Sequence, residues 1–290
     1  MKRSVCAVIF CVALIGGHVE AQIDFGTVIV AGVSQNKVVI AADTHSASKD
    51  GHDRCKLAVL GGKLLYGAAG VVADTDSALP NAWAFDGLGA AKASFDDPPK
   101  SIQACAAAHS CPFDPKSLPQ TVAQGWLESL LASLTTASYV GADDWKLGAG
   151  VTGIVAGIGP SGDMEAVVDQ AVCQKPDVQN TEAGDKPHSN CQPHLDFSKK
   201  VTPPKGQTVW IPLGIIDTAN EFLRQTSDRA KAEVQGWPNL QEWQIAYRLI
   251  DLTLAYSQKK DFVGGPIEVV ELHRNGSVTW IQNPQHCPEK

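Results

Sequence analysis

Two β-rich apolar runs, Thr27 to Val33 and Val38 to Ala42, stand with Ser34-Gln35-Asn36 as the turn between them, and Asn36 tolerates a left-handed backbone. Runs so close and so rich in β-branched residues pair as a hairpin. A second pair, Lys56 to Leu60 and Lys63 to Ala68, turns at Gly61-Gly62. The chain then changes character. Residues 74–117 are rich in Ala, Asp, Ser and Pro and contain Asp96-Asp97-Pro98-Pro99, which predicts a partly helical segment with an irregular insertion. From Leu118 to Thr136 the apolar residues Val122, Trp126, Leu130 and Leu134 recur every fourth position, the spacing of one helix face that must pack on a sheet. Val151 to Ile158 and Met164 to Val168 form another strand pair. Residues 173–207 are polar and contain prolines, which predicts a surface loop; a Cys173–Cys191 disulfide could close it, but six cysteines allow fifteen connectivities and the sequence does not choose among them. A short strand, Thr208 to Ile211, leads to a helix from about Thr218 to Val234. A second helix starts at Asn239, whose side chain caps it with Glu242 three residues on, and carries Trp243, Tyr247, Ile250 and Leu254 on one side. The last hairpin is Ile267 to Leu272, an Arg274-Asn275-Gly276 turn, and Ser277 to Gln282. Strand pairs separated by helix pairs predict an α+β protein, a four-layer α/β/β/α sandwich of two antiparallel sheets between helical layers, rather than a βαβ parallel sheet.

The first residues carry positive charge at Lys2 and Arg3, an apolar run from Val5 to Ile15 and a small-residue ending, Val19-Glu20-Ala21. This predicts a signal peptide over 1–21, cleaved after Ala21, and a secreted or periplasmic protein. No other stretch approaches the ~20 apolar residues of a membrane span, so no membrane partner is expected once the signal is gone. Losing Lys2, Arg3 and Glu20 turns 24 basic and 31 acidic residues into 22 and 30, a net charge of -8. That balance speaks against nucleic acid as a partner. The remaining chain has enough apolar residues for one decorated domain, 27–290, with insertions near 75–117 and 173–207. Cys55, Cys105, Cys111, Cys173, Cys191 and Cys287 remain after cleavage, an even number that suggests disulfides in an exported protein. Cys105, His109 and Cys111, and His188, Cys191 and His194, match no familiar zinc spacing, so neither a metal nor another cofactor is expected.

With Ser34-Gln35-Asn36 as the turn, paired residue numbers in the first hairpin sum to 70, and Thr27 stands opposite Asp43. In the second hairpin, Gly67 to Gly70 lie beside and beyond Lys56. A hydroxyl, a carboxylate, a lysine and a flexible backbone amide are the parts of a hydrolase with an N-terminal nucleophile. The hydroxyl attacks a carbonyl, and the freed α-amine of the same residue, with an ordinary pKa of about 7.7 to 8.0, takes the proton. A nearby ammonium keeps that amine unprotonated and a carboxylate holds the ammonium. A backbone N–H stabilises the oxyanion, a donor typically worth about a hundredfold or more. Singly, Thr27, Asp43, Lys56 and Gly70 also read as a strand threonine, a strand-end carboxylate, an edge lysine and a turn glycine; three agreeing spacings set them apart.

The run GTVIVAGVSQNKVVIAADTHSAS, followed by CKLAVLGGKLLYGAAGVVAD, resembles the N-terminal half of a proteasome β-subunit. The resemblance implies the N-terminal-nucleophile (Ntn) hydrolase fold. It implies that Thr27 is the nucleophile, Asp43 the acidic residue sixteen positions on, Lys56 the lysine and Gly70, fourteen residues beyond it, the oxyanion glycine. Gly26 matches the glycine before the self-cleavage point, making 22–26 a propeptide. VTGIVAGIGPSG and LIDLTLAYSQKKDFVGGPIEVVEL resemble the family's later helix and strand passages. Two positions depart from the pattern. Val263 stands where the family has a serine before Gly264-Gly265, and Lys260 stands at the acidic position unless a one-residue shift brings in Asp261. Nor does Trp210 to Ile215 hold a counterpart of the family's Ser-Gly pair.

The expected activity is therefore a threonine-type amidohydrolase or peptidase, autoprocessed at Gly26-Thr27, acting on a peptide or small amide. The alternatives are a catalytically silent proteasome-like fold used for binding or assembly, and a small-molecule amidase of another Ntn family. A homo-oligomer is compatible with either; an ATP-driven chamber is not expected outside the cytoplasm. His45, His52, His109 and His286 are read as surface residues.

Overall fold

In the first hairpin, β1 (Val28–Val33) and β2 (Lys37–Asp43) pair antiparallel, and every residue in them except Lys37 is buried. Both faces of these strands are covered, which explains apolar runs without a polar alternation. Val28, Val30, Val39 and Ala41 face helices; Ile29, Ala31, Val38 and Ile40 face a second sheet. A computed structural model describes residues 27–45, 55–70, 87–97, 118–140, 150–174, 192–258 and 263–282. The expected signal peptide and propeptide with Gly26, most of both insertions, His52, Cys105, His109, Cys111, His188, Cys191, Lys260, Asp261 and His286 lie outside the described residues.

The remaining elements are β3 (Leu57–Leu60), β4 (Leu64–Gly70), α1 (Gly87–Asp96), α2 (Pro119–Val140), β5 (Gly150–Ile158), β6 (Met164–Gln174), β7 (Gln192–Val201) and β8 (Val209–Gly214). They are followed by α3 (Asp217–Arg224), α4 (Asp228–Val234), α5 (Glu242–Tyr256), β9 (Ile267–His273) and β10 (Val278–Gln282). One antiparallel sheet runs β10-β9-β2-β1-β8 and the other β3-β4-β5-β6-β7. Three apolar clusters glue this α+β sandwich: α3 to α5 on the first sheet, the two sheets on each other, and α1 and α2 on the second sheet. Each fully buried Val, Leu or Ile in them contributes about 1.5–3 kcal/mol. Among the described residues no helix is long and apolar enough to cross a membrane.

The helix spacing of Val122, Trp126 and Leu130 is realised in α2, where all three are buried against the second sheet. Several boundaries differ from the sequence expectation. The first hairpin pairs Ile29 with Ala42 and Val33 with Val38, so paired numbers sum to 71 instead of 70. The turn itself is only Gln35-Asn36, closed by Ser34 N–H donating to the carbonyl of Lys37, the first residue of β2, at 2.9 Å. Gln192–Val201, expected as loop, is a strand on β6. As a sheet edge it carries the polar residues and lysines, Lys199 and Lys200, that hide strands from pattern reading. The helix expected from about Thr218 to Val234 is two helices, because Gln225 takes a left-handed backbone (φ 51°) and Ser227 caps α4 by accepting from Ala230 N–H. Asn239 sits in a 3-10 turn, and Gln241 caps α5 in a reciprocal box with Gln244.

Candidate active site

At the end of the first hairpin, Thr27 continues the ladder between β1 and β8, its carbonyl accepting from Ile215 N–H at 2.9 Å. It is 4% exposed. Strand alternation puts position 27 on the same side as Ile29 and Ala31, toward the second sheet. The register makes Val28, not Thr27, the partner position of Asp43. The consequence is direct: Val28 N–H, the amide that follows Thr27, donates to Asp43 Oδ1 at 2.9 Å.

Lys56 stands immediately before β3 in the opposing sheet, and its Nζ donates to the same Oδ1 at 2.9 Å. Gly264 N–H donates to Asp43 Oδ2 at 3.0 Å. Asp43 is fully buried, so burial pushes its carboxyl up from 3.8, while the Lys56 ammonium and the two backbone donors pull it back down. Three donors suit an ionised carboxylate. Cys55, the residue before Lys56, is disulfide-bonded.

β4 returns beside this cluster. Leu57 pairs with Gly67, and Gly70 ends the strand opposite Val151. Gly214 fixes how closely β4, β8 and Thr27 approach: a methyl group added there would fall 1.9 Å from the Thr27 carbonyl oxygen and 3.0 Å from Ala69 Cβ. Gly70 is the next residue after Ala69. Thr27, Asp43 and Lys56 thus meet at one end of the two sheets, with the Gly70 end of β4 alongside. Gly26 and Asp261 lie outside the described residues. Val263 is buried in the apolar cluster under α5, so this position offers no polar group to the site.

Sequence reasoning missed Glu268, Gly214 and the Gly264 amide. Glu268 on β9 accepts from Lys56 N–H at 3.0 Å through Oε1 and from Leu57 N–H at 3.1 Å through Oε2. Burial raises its carboxyl from 4.5 to about 7, opposed by those two N–H groups and the Lys56 charge and reinforced by the negative Asp43. The signal was present: an acidic residue inside Ile267-Glu268-Val269-Val270 must be satisfied by something once that run is buried. His45, expected at the surface, is half-buried and donates its N–H to the Gly264 carbonyl at 2.9 Å. Among the described residues no group of three or more His, Cys, Asp or Glu is arranged to hold a metal ion. No protein-family model and no curated protein matches the sequence.

Proposed function

We propose that the protein is an exported threonine-type amidohydrolase or peptidase with the Ntn-hydrolase fold, similar to proteasome β-subunits. The observation that carries this is the double engagement of Asp43, whose one oxygen receives both the Lys56 ammonium and the amide following Thr27. A carboxylate so placed orients the nucleophile's own backbone and the charge beside it. The sandwich of two antiparallel sheets between helices is compatible with that fold. The disulfide at Cys55 supports an oxidising compartment and hence the expected export.

In this scheme Thr27 Oγ first attacks the Gly26 carbonyl carbon. The Oγ proton passes to the Thr27 nitrogen as the Gly26–Thr27 C–N bond breaks and an ester forms, which frees the Thr27 amine; water then hydrolyses the ester, releasing the Gly26 carboxylate and regenerating the Thr27 hydroxyl. On a substrate amide the amine accepts the Oγ proton, the leaving amine departs with a proton, and water releases the acyl group from Oγ. Lys56 keeps the Thr27 amine unprotonated and Asp43 holds Lys56. Gly70 N–H stabilises the oxyanion.

One observation favours a second reading, a silent fold used for binding: Val263 is packed in the core at a position where the family that the sequence resembles has a serine. Incubation with a threonine-directed epoxyketone or β-lactone, followed by peptide mass spectrometry, separates the two. Covalent mass on Thr27, absent from Thr27→Ala, supports the enzyme; an unmodified Thr27 in chains that begin with it supports the silent fold.

A further inference from the structure

Lys56 is held at two places by two different carboxylates. Asp43 takes its ammonium; Glu268 takes its backbone N–H and that of Leu57. In an extended strand successive N–H groups point to opposite sides. Two consecutive ones converging on a single carboxylate therefore mean that the chain bends as it enters β3, and Glu268 is what the bend is built around. β3 is an edge strand, with β4 on one side only, and Glu268 supplies the acceptor for both donors.

Glu268 reaches them from the other sheet. Its partner on β2 is Ala42, one of the residues between the sheets, and its neighbour Ile267 pairs with Asp43. Asp43 and Glu268 therefore occupy adjacent positions on adjacent strands. The charged groups facing Glu268 include Asp43 from β2 and Lys56 from the start of β3. Glu268 is fully buried. An anionic carboxylate offers both oxygens as acceptors, whereas a protonated one turns an oxygen into a donor that faces an N–H.

We propose that Glu268 is a positioning residue, whose ionised carboxylate fixes the backbone of Lys56 so that the ammonium meets Asp43 at the Thr27 end of the sheets. The catalytic part of this rests on the threonine-hydrolase reading; the clamp itself does not. Losing a proton from Glu268 tightens the clamp and gaining one loosens it, and the raised carboxyl brings that change to about pH 7. Because the lysine backbone, not the substrate, is what moves, the effect falls on the rate of Thr27 acylation more than on substrate affinity.

The test joins two readouts on the full exported protein. Backbone ¹⁵N NMR across pH 5 to 9 follows the Lys56 and Leu57 amides, and epoxyketone labelling follows Thr27. The expected result is that both amides shift together with a midpoint near 7 in the wild type and lose that transition in Glu268→Gln. Labelling by Glu268→Gln should be slower by at least about tenfold at pH 8, as for misplaced catalytic groups, with Glu268→Asp recovering part of it. Amides that do not titrate together overturn the proposal, and this needs only wild-type protein. Labelling by a folded Glu268→Gln at the wild-type rate and with the wild-type pH profile overturns it too. Titrating amides with no labelling of wild-type Thr27 support the clamp and count against the threonine-hydrolase reading.

Discussion

Asp43 and Glu268 bracket Lys56 from opposite ends of one residue, and their burial makes each a liability without it. Replacing Lys56 by Ala leaves Asp43 buried with backbone donors alone. Removing one partner of such a pair typically costs about 3–5 kcal/mol. Urea unfolding of Lys56→Ala should show a loss of that order, together with loss of Thr27 labelling. Glu268 adds a pH dependence whose sign is fixed. Its carboxyl lies at about 7 in the folded protein against 4.5 ordinarily, so the folded state binds the proton more tightly. Its contribution to stability is fullest below about 4.5 and is lost as pH rises through about 7, and the gap corresponds to roughly 3 kcal/mol. Asp43 shifts in the same direction. Unfolding measured from pH 4.5 to 8 should therefore show wild-type stability falling relative to Glu268→Gln. The same rise in pH that weakens the fold strengthens the proposed hold on Lys56, as expected where a site is kept at a cost in stability.

The strands carry the site by their ends, and small departures there decide the geometry. Gly214 at the end of β8 has φ 82° and no room for a methyl group against the Thr27 carbonyl. Gly214→Ala should lose at least about 2 kcal/mol and displace Thr27, read as a lower melting temperature with reduced labelling. Gln225 between α3 and α4 also has a left-handed backbone, with φ 51°. Gln225→Gly should stabilise by about 0.5–1 kcal/mol, measured by urea unfolding, and leave labelling unchanged. These elements also show what the sequence could disclose. The hairpin over Thr27 to Ala42 was legible because both faces are apolar, and α2 because Val122, Trp126 and Leu130 keep helical spacing. The register was off by one, since nothing local tells a three-residue turn over Ser34-Gln35-Asn36 from a two-residue one over Gln35-Asn36. β7 was invisible because an edge strand is polar. Thr27, Asp43 and Lys56 could be found by spacing; Glu268 stood out only as an acid inside an apolar run, and its partners, 212 and 211 residues away, could not be named.

At the scale of the molecule, two sheets from distant parts of the chain are pressed together so that β1, β2 and β9 meet the start of β3 and the end of β4. Helices cover the outer faces and leave the strand ends as the place where polar groups gather. The apolar cluster between the sheets sets the distance across which Lys56 reaches Asp43 and Glu268 reaches Lys56. Whether that assembly is a working nucleophile site depends on Thr27 having a free amine. The direct measurement is the N-terminal sequence of the purified protein, wild type beside Thr27→Ala. Wild-type chains beginning at Thr27, with Thr27→Ala chains retaining Gly26, are predicted; wild-type chains beginning at Gln22 with no Thr27 start would contradict the account.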